Sequence, residues 1–264
     1  IIAYSGHQPA TPLLIDGLRR LEYRGYDSAG IAFIQNHQIN TIKAPGKLAA
    51  LETKLAECDM PLLATSGMGH TRWATHGAPT EANAHPHGYN DRRFAMVHNG
   101  IIENFSEIKK LLQGEGYEFY SDTDTEVLVN LIEYKRRSAP DNLTAFRDAV
   151  AEAEGAYALV LMALDEPGVI YATRKNAPLI VGVGVGENFV ASDIPAFLPY
   201  TRKVVFLNEG ELVKATDSSF EILGMDLTLK AHEVQAIEWD VQAAQKGGFK
   251  HFMLKEIFEQ PAVL

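Results

Sequence analysis

The first part of the chain alternates apolar runs with segments whose apolar residues recur every three or four positions. Residues 1–4 are a short apolar run and predict a buried strand. Leucines spaced along residues 12–23 fall on one face, which predicts an amphipathic helix. Thr11 followed by Pro12 matches the residue types that begin helices, so we expect this helix to begin there.

Further elements are predicted up to residue 154, and two of the helices carry end signals. Asn104 can cap a helix that Gly114 ends, and Thr123 with Glu126 has the spacing of a capping box. Asn36-His37 separates two apolar runs and predicts a hairpin. The predicted strands are 29–34, 39–43, 67–75 and 94–102, the last broken at Asn99-Gly100. The predicted helices are 48–57, 105–113, 123–136 and 143–154.

After Gly155 the pattern changes to short apolar runs separated by glycines and polar turn residues. This succession predicts an antiparallel meander and disfavours the alternating strands and helices of a Rossmann sheet. Residues 182–187 resemble a phosphate-binding glycine loop, but the third glycine and the following helix are missing, so we interpret them as a hairpin. The predicted strands are 156–164, 169–173, 179–185, 188–191, 204–208 and 212–216.

The segment 246–250 places two consecutive glycines beside basic and aromatic residues, a composition that suits a hinge. No internal repeat or low-complexity tract divides the rest of the chain. We therefore predict one compact domain of mixed α and antiparallel β structure over residues 1–240, followed by a hinge or linker over 241–264.

Composition narrows the function classes. The chain is 46% hydrophobic and 22% charged, as expected of a globular protein. A single cysteine, Cys58, excludes an intrachain disulfide framework and any cysteine-rich zinc module. The net charge of −10 argues against nucleic acid as a partner. The apolar runs are too short to span a bilayer and the start has no basic n-region, so we expect no membrane partner and a cytoplasmic location.

The densest polar cluster runs from His70 to Asn99 and holds five of the nine histidines. Strand alternation would place Arg72 and His76 on one face, where a guanidinium can grip a carboxylate, although a surface arginine beside core histidines fits equally. His85-Pro86-His87 invites a metal site, but its spacing matches no zinc motif and no thiol or carboxylate pair completes it. We therefore expect no metal and no other cofactor.

Two further positions have a structural and a functional interpretation. Asn99-Gly100 favours a type I′ hairpin turn, and alternatively supplies an amide and a backbone N–H that together form an oxyanion hole. Asp124 lies at a predicted helix start, where it can complement the helix dipole or, in a cleft, take a substrate ammonium. The local sequence leaves both alternatives open.

Four motifs together carry a family resemblance. LEYRGYDSAG at 21–30, HTRWATHG at 70–77, VHNGIIEN at 97–104 and SDTDTE at 121–126 occur in this order in the N-terminal glutaminase domains of glucosamine-6-phosphate synthases. The tail KEIFEQP at 255–261 resembles the junction to the sugar-isomerase half of those enzymes. The short segment 88–97, where eukaryotic members carry an insertion, resembles bacterial members.

The resemblance implies an α+β fold of the N-terminal-nucleophile hydrolase type, a four-layer αββα sandwich with two stacked antiparallel sheets. It also implies that a Cys-Gly pair precedes Ile1 and supplies the nucleophile, which the 264 residues lack. Asn99 and Gly100 would then form the oxyanion hole, and Arg24 would lie near the nucleophile together with Tyr26.

The remaining roles that the resemblance implies concern the substrate. Arg72, with Thr75 and His76, would hold the α-carboxylate of L-glutamine, and Asp124 would hold its α-ammonium group. Trp73 would line or close the exit for ammonia. These roles resolve the alternatives at Arg72, Asn99 and Asp124 only through the resemblance.

The implied function is hydrolysis of L-glutamine to glutamate and ammonia. In the full-length enzyme the ammonia would reach fructose 6-phosphate in the C-terminal sugar-isomerase half and yield glucosamine 6-phosphate, and the enzyme would be a homodimer. The chain as given would be inactive without the preceding cysteine. Rival interpretations are the glutaminase domain of a phosphoribosyl pyrophosphate-type amidotransferase, a non-catalytic glutamine-binding module and a stand-alone amidase.

Overall fold

The computed structural model describes residues 1–75, 77–88, 93–238 and 252–263. Its strands form two sheets, and every pairing between strands within them is antiparallel. The larger sheet contains β1 (Ile2–Ser5), β2 (Ser28–Gln35), β3 (Gln38–Pro45), β4 (Ser66–Arg72), β9 (Ile180–Val183), β10 (Asn188–Ala191), β11 (Lys203–Phe206) and β14 (Gln235–Ala236). The smaller sheet contains β5 (His87–Gly88), β6 (Phe94–Ile102), β7 (Gly155–Ala163), β8 (Ile170–Lys175), β12 (Leu212–Ala215) and β13 (Phe220–Leu223).

The helices are α1 (Ala10–Leu21), α2 (Leu48–Ala56), α3 (Phe105–Gly114), α4 (Asp124–Arg136), α5 (Asn142–Glu152) and α6 (Phe252–Val263). Short 3-10 helices cover Glu22–Arg24 and Ile194–Ala196. Among the described residues, no helix has the length and apolar character needed to cross a membrane.

Three apolar cores define four layers. One core packs α1 and α2 on the outer face of the larger sheet, and a second packs α3, α4 and α5 on the outer face of the smaller sheet. The third lies between the sheets and contains small side chains from both, including Ala3, Ala32, Ala95 and Ala158. Small side chains let the two sheets approach closely. The order helix, sheet, sheet, helix confirms the predicted αββα sandwich.

The first strand occupies an interior position of the larger sheet. The strand order is β14-β11-β9-β10-β1-β4-β2-β3, so β1 lies between β10 and β4. Ile2 and Tyr4 face the helices α1 and α2, whereas Ile1 and Ala3 face the other sheet. The beginning of the described chain is therefore held on both sides by backbone hydrogen bonds.

Several boundaries differ from the predictions. Helix α1 begins at Ala10, and Thr11 lies buried inside its first turn instead of capping it. The side chain of Asn104 does not cap α3; it bonds the backbone of Glu152 and Glu154 at the end of α5. Within the predicted hinge or linker 241–264, residues 252–263 form helix α6, whereas 241–251 and 264 lie outside the described residues, so the linker role stays a prediction.

Candidate active site

A cavity of about 420 Å³ opens where β4 of the larger sheet meets β6 of the smaller sheet. It brings together nearly all the site residues that the sequence predicted. Those that line it are Arg24, Arg72, Trp73, Thr75, Asn99, Gly100 and Asp124. The remaining one, His76, lies outside the described residues.

Asn99 and Gly100 do not form the hairpin turn that the dipeptide favours. Both lie within the continuous strand β6, opposite Ala158 and Tyr157 of β7. Gly100 has φ of +119°, and a Cβ there would lie 2.0 Å from the Ala156 carbonyl oxygen. Only glycine tolerates both conditions, so this strand can turn its backbone toward the cavity at that residue. The oxyanion-hole interpretation, in which the Asn99 amide and the Gly100 N–H act together, stays a prediction that this geometry permits.

Asp124 is the first residue of α4 and is 4% exposed. Its Oδ2 atom accepts the backbone N–H of Ile102 at 2.9 Å, and its Oδ1 atom lies 3.7 Å from His98 Nδ1. The helix start is itself capped by Thr123, whose side chain accepts the N–H of Glu126. The cap therefore does not depend on Asp124, which leaves a buried carboxylate at the cavity.

Arg72 ends strand β4 and is 4% exposed. Its guanidinium donates to the backbone carbonyls of Ala78 at 3.3 Å and Gly77 at 3.4 Å. Burial lowers the pKa of Arg72, and the negative charges of Asp124 and Asp27 oppose that effect. A guanidinium keeps its charge in proteins, so the cavity contains a cation and an anion on different walls.

The chain directly after Arg72 is exposed. Trp73 is 60% exposed and its ring lies 5.8 Å from that of Tyr26, edge to face. The N–H of Ala74 donates to the Asp27 carboxylate at 2.9 Å. These contacts place an aromatic pair and Thr75 at the mouth of the cavity, on a segment tied to Asp27.

Arg24, in the 3-10 helix after α1, lies on another wall. Its Nη1 atom contacts the Asp193 carboxylate at 3.2 Å, and Tyr23 donates to the same carboxylate at 2.6 Å. The Ile1 nitrogen donates to Ser192 Oγ at 3.0 Å. This wall of the cavity therefore carries an arginine paired with a carboxylate.

Four buried histidines lie together at the cavity, namely His70, His85, His87 and His98, and all of them except His87 line it. The rings of His70 and His85 are 4.4 Å apart, and those of His85 and His87 are 5.0 Å apart. Burial lowers the pKa of His87 to about 3 and holds the pKa values of His70 and His85 well below the ordinary value for histidine. In the described part of the chain, no group of three His, Cys, Asp or Glu side chains is arranged to hold a metal ion.

Sequence reasoning missed Ser192 and Asp193, which follow β10. They reach the cavity because β10 pairs with β1, a contact between residues almost two hundred positions apart. The run ENFVASD at 187–193 looks like an ordinary strand with a turn. Only the strand pairing could have identified it.

The comparisons with known proteins bear on this site. A protein-family model described as a glutamine amidotransferase domain matches residues 70–199, which include most of the cavity wall. The chain carries a glutamine amidotransferase domain. The match begins at His70 and includes Arg72, Asn99 and Asp124.

Relatives similar to this amidotransferase domain over its whole length are named glutamine–fructose-6-phosphate aminotransferase [isomerizing]. The identity is 51% over 264 residues for the Caldanaerobacter subterraneus protein and 50% over 264 residues for one from Thermus thermophilus. Each match covers 100% of this chain and 43% of the relative. The chain thus spans less than half the length of the curated relatives it matches. These similarities confirm the resemblance drawn from the four motifs.

Solved structures place the amidotransferase domain in the same fold as more distant proteins. The glutamine phosphoribosylpyrophosphate amidotransferase of B. subtilis, complexed with ADP and GMP, matches 86% of this chain and 49% of its own with a TM-score of 0.73. A glutamine aminotransferase class-II domain protein from Silicibacter pomeroyi matches 85% of this chain and 98% of its own with a TM-score of 0.57. The identities are 22% and 18%, so these likenesses concern the fold alone.

Proposed function

We propose that this chain hydrolyses L-glutamine to glutamate and ammonia, and that the ammonia is delivered to fructose 6-phosphate in a longer protein that makes glucosamine 6-phosphate. The observation that carries the proposal is the composition of the cavity. It combines the Arg72 guanidinium, the Asp124 carboxylate and the Asn99 amide beside the N–H of Gly100. These are the groups that an amino acid with a side-chain amide requires.

The two charged groups suit the two ends of a free amino acid. The Arg72 guanidinium can grip the α-carboxylate with two parallel hydrogen bonds, because its fork matches carboxylate geometry. The Arg72 guanidinium donates to the backbone carbonyls of Gly77 and Ala78 at 3.3–3.4 Å. A substrate carboxylate can take the place of these carbonyls, because a charged acceptor forms stronger hydrogen bonds. Asp124 then pairs with the α-ammonium. Thr75 and His76 belong to the same segment and complete the carboxylate pocket in this proposal.

The nucleophile belongs to the Cys-Gly pair that the resemblance places before Ile1. Ile1 lines the cavity together with Asn99 and Ser192, and in this proposal the preceding Cys-Gly pair occupies the same space. The cysteine thiolate attacks the carboxamide carbon, and the C=O electrons move to the oxygen. When the tetrahedral intermediate collapses, the C–N bond breaks and ammonia leaves with the proton taken from the thiol. Water then cleaves the thioester, which yields glutamate and regenerates the thiol.

The α-amino group of that cysteine would carry the proton between these steps. An ordinary α-amino group has a pKa near 8. Arg24 lines the same cavity, and its positive charge favours the neutral form of a nearby amine, which is the form that accepts a proton.

The developing oxyanion needs hydrogen-bond donors that are in place before the reaction. The Asn99 amide and the N–H of Gly100 are the donors in this proposal, and the exposed pair Trp73 and Tyr26 stands at the mouth as a cover for the ammonia. A cover matters because ammonia that escapes into water is lost to the second reaction.

The acceptor of the ammonia lies in the longer protein. The chain spans 43% of relatives whose names include fructose 6-phosphate, so a C-terminal sugar-isomerase half is the proposed partner, with residues 241–264 as the connection and a homodimer as the assembly. Among the rivals, the phosphoribosyl pyrophosphate type shares the fold at 22% identity, whereas the aminosugar enzymes reach 51%. That difference favours the aminosugar assignment.

The test uses the full-length protein with its native N-terminus and an electrophilic glutamine analogue. We expect one glutamate for each ammonia released, loss of activity after labelling, and the label on the N-terminal cysteine. Cys58, the cysteine within the 264 residues, is the internal control. Label on Cys58, or glutamine binding without ammonia release, contradicts the proposal.

A further inference from the structure

The amide of Asn99 has two chemically different ends, and one of them is already bound. Asn99 Oδ1 lies 2.8 Å from His70 Nε2. His70 belongs to β4 of the larger sheet and Asn99 to β6 of the smaller one. This hydrogen bond therefore joins the two sheets at the wall of the cavity. A side chain held at one end has lost the freedom to rotate and exchange its ends.

The direction of this bond decides which end of the amide faces the cavity. An amide oxygen can only accept, so His70 Nε2 carries the hydrogen and donates it. The NH2 group of Asn99 is then turned away from His70, on a side chain that lines the cavity. The reverse arrangement would present oxygen lone pairs to the cavity and repel any anion that forms there.

The surroundings of His70 keep it in this protonation state. The ring is 3% exposed, and its Nδ1 atom has no hydrogen-bond partner among the described residues. A second N–H on the ring would have no acceptor there, and burial penalises the charge. On the neighbouring strand β2, Gly30 lies opposite His70. A Cβ at Gly30 would lie 2.2 Å from the His85 carbonyl oxygen, so the segment bearing His85 packs directly on β2.

His85 is the next member of the same chain of contacts. Its Nδ1 atom accepts the backbone N–H of His98 at 3.5 Å, so the hydrogen of the neutral ring lies on Nε2. That Nε2 atom is 3.1 Å from Thr125 Oγ1, on helix α4 directly after Asp124. The ring of His85 in turn lies 4.4 Å from that of His70. The orientation of Asn99 is thereby linked to the helix that holds Asp124.

We propose that His70 is a positioning residue that fixes the Asn99 amide with its NH2 group toward the cavity. This inference rests on the proposed function, in which the NH2 group donates to the oxyanion of the tetrahedral intermediate. In this proposal His70 lines the cavity wall and acts through Asn99, without transferring a proton. It removes the rotation that Asn99 would otherwise need to make during the reaction.

Substitution of His70 should therefore affect the transition state more than substrate binding. In His70→Leu the donor is lost, and we expect kcat for ammonia release to fall about ten- to a hundredfold, with KM for glutamine changed less than about threefold. His70→Gln carries an N–H donor near the position of Nε2, and we expect it to retain most of the native kcat. His70→Asn ends one methylene short and should resemble His70→Leu.

The decisive measurement is a double-mutant cycle in the full-length enzyme. If His70 acts through Asn99, then His70→Leu combined with Asn99→Ala has the kcat of Asn99→Ala alone, whereas a general loss of packing lowers kcat further. His87→Leu is the matched control, because His87 belongs to the same cluster but contacts Thr123 at 3.1 Å and not Asn99. We expect it to lower the melting temperature and to keep kcat.

Two results would overturn the inference. One is native kcat in a folded His70→Leu, or in His70→Asn if the leucine variant does not fold. The other is that the losses of kcat in His70→Leu and Asn99→Ala add in the double variant. An equal loss of kcat in His87→Leu and His70→Leu would contradict the inference in the same way. Failure of the proposed function is recognised separately, since native enzyme would then release no ammonia.

Discussion

At the scale of single residues, the proposed function assigns the two charged ends of the substrate and its reacting amide to different residues of the cavity. Arg72 and Asp124 are charged, nearly buried and fixed by strand β4 and helix α4. Asn99 and Gly100 are uncharged and lie on β6. Under the proposed function, the first pair contacts glutamine before and during the reaction, while the second pair becomes important as charge develops on oxygen.

Loss of either charged group should therefore weaken substrate binding. In Arg72→Ala or Asp124→Asn one end of the zwitterionic substrate remains unpaired, at a cost of about 2–5 kcal/mol where that contact is desolvated. We expect a fall in kcat/KM with most of the change in KM. Steady-state ammonia release over a range of glutamine concentrations measures both constants. Arg72→Lys is the matched variant: it keeps the charge, loses the two-pronged grip, and should lie between native enzyme and Arg72→Ala. An unchanged KM in Arg72→Ala would refute the carboxylate pocket.

The sequence identified these residues more readily than it explained them. Asn99-Gly100 favours a turn locally, and only the pairing of β6 with β7 makes it a continuous strand with one left-handed residue. Strand alternation predicted Arg72 and His76 on one face of a strand reaching residue 75, but β4 ends at Arg72 and His76 lies outside the described residues, so their joint role stays a prediction. Ser192 and Asp193 could not be found, since their contact with the beginning of the chain depends on long-range pairing.

At the scale of elements, close approaches between segments impose requirements that single glycines meet. Gly30 in β2 lies opposite Lys43 and His70, and the segment bearing His85 crosses directly over it. A Cβ there would lie 2.2 Å from the His85 carbonyl oxygen and 3.0 Å from the Lys43 side chain. The backbone at His85 can thus approach strand β2 this closely only because residue 30 has no side chain.

We expect Gly30→Ala to destabilise the protein by about 1–3 kcal/mol, because the backbone at His85 has to move. Urea unfolding monitored by circular dichroism measures this change. Gly114→Ala, at the end of α3, is the control: nothing lies within 4 Å of its added Cβ, so we expect no loss of stability. Equal stability of the two variants would show that the close contact between Gly30 and the His85 backbone does not contribute to stability.

Elements with strong periodicity were predictable, and short edge elements were not. The predicted strand 188–191 matches β10, and the predicted strand 94–102 has the bounds of β6 but lacks the break expected at Asn99-Gly100. Strands β5 and β14 have two residues each, too few for an alternation to be visible, and the four-residue β13 was also missed. Helix α1 begins before Thr11 because the burial of that residue outweighs its capping preference. Tertiary contacts therefore set the ends of elements that local signals only approximate.

At the scale of the whole molecule, the buried histidines make stability depend on pH. In the unfolded chain a histidine takes up a proton below about pH 6.5. In the folded protein burial lowers the pKa of His87 to about 3 and holds those of His70 and His85 well below the ordinary value. The unfolded state therefore binds more protons below pH 6.5, and stability falls as the pH falls.

Three such groups predict a loss of about 3 kcal/mol in the free energy of unfolding between pH 6.5 and 5.5, because each contributes about 1 kcal/mol over this interval, where the unfolded histidine goes from half to almost fully protonated. Urea titrations at pH 7.5, 6.5 and 5.5, above the range where ordinary carboxyl groups titrate, measure the slope. His87→Leu should reduce the slope by about a third. A free energy that stays constant from pH 7.5 to 5.5 would mean that the cluster already accepts protons in the folded state.

The interior place of β1 has a consequence for biosynthesis. A nascent chain carries Arg72, Asn99 and Asp124 long before it carries β10, yet the first strand lacks one of its two neighbours until Asn188–Ala191 has been translated and has left the ribosome. Loop-closure entropy opposes so distant a pairing until both strands exist. Nascent chains that end before β10 therefore cannot place their first residues beside Ser192. Under the proposed function, such chains release no ammonia. The strand order thus delays this proposed chemistry until residues 188–191 are available to pair with β1.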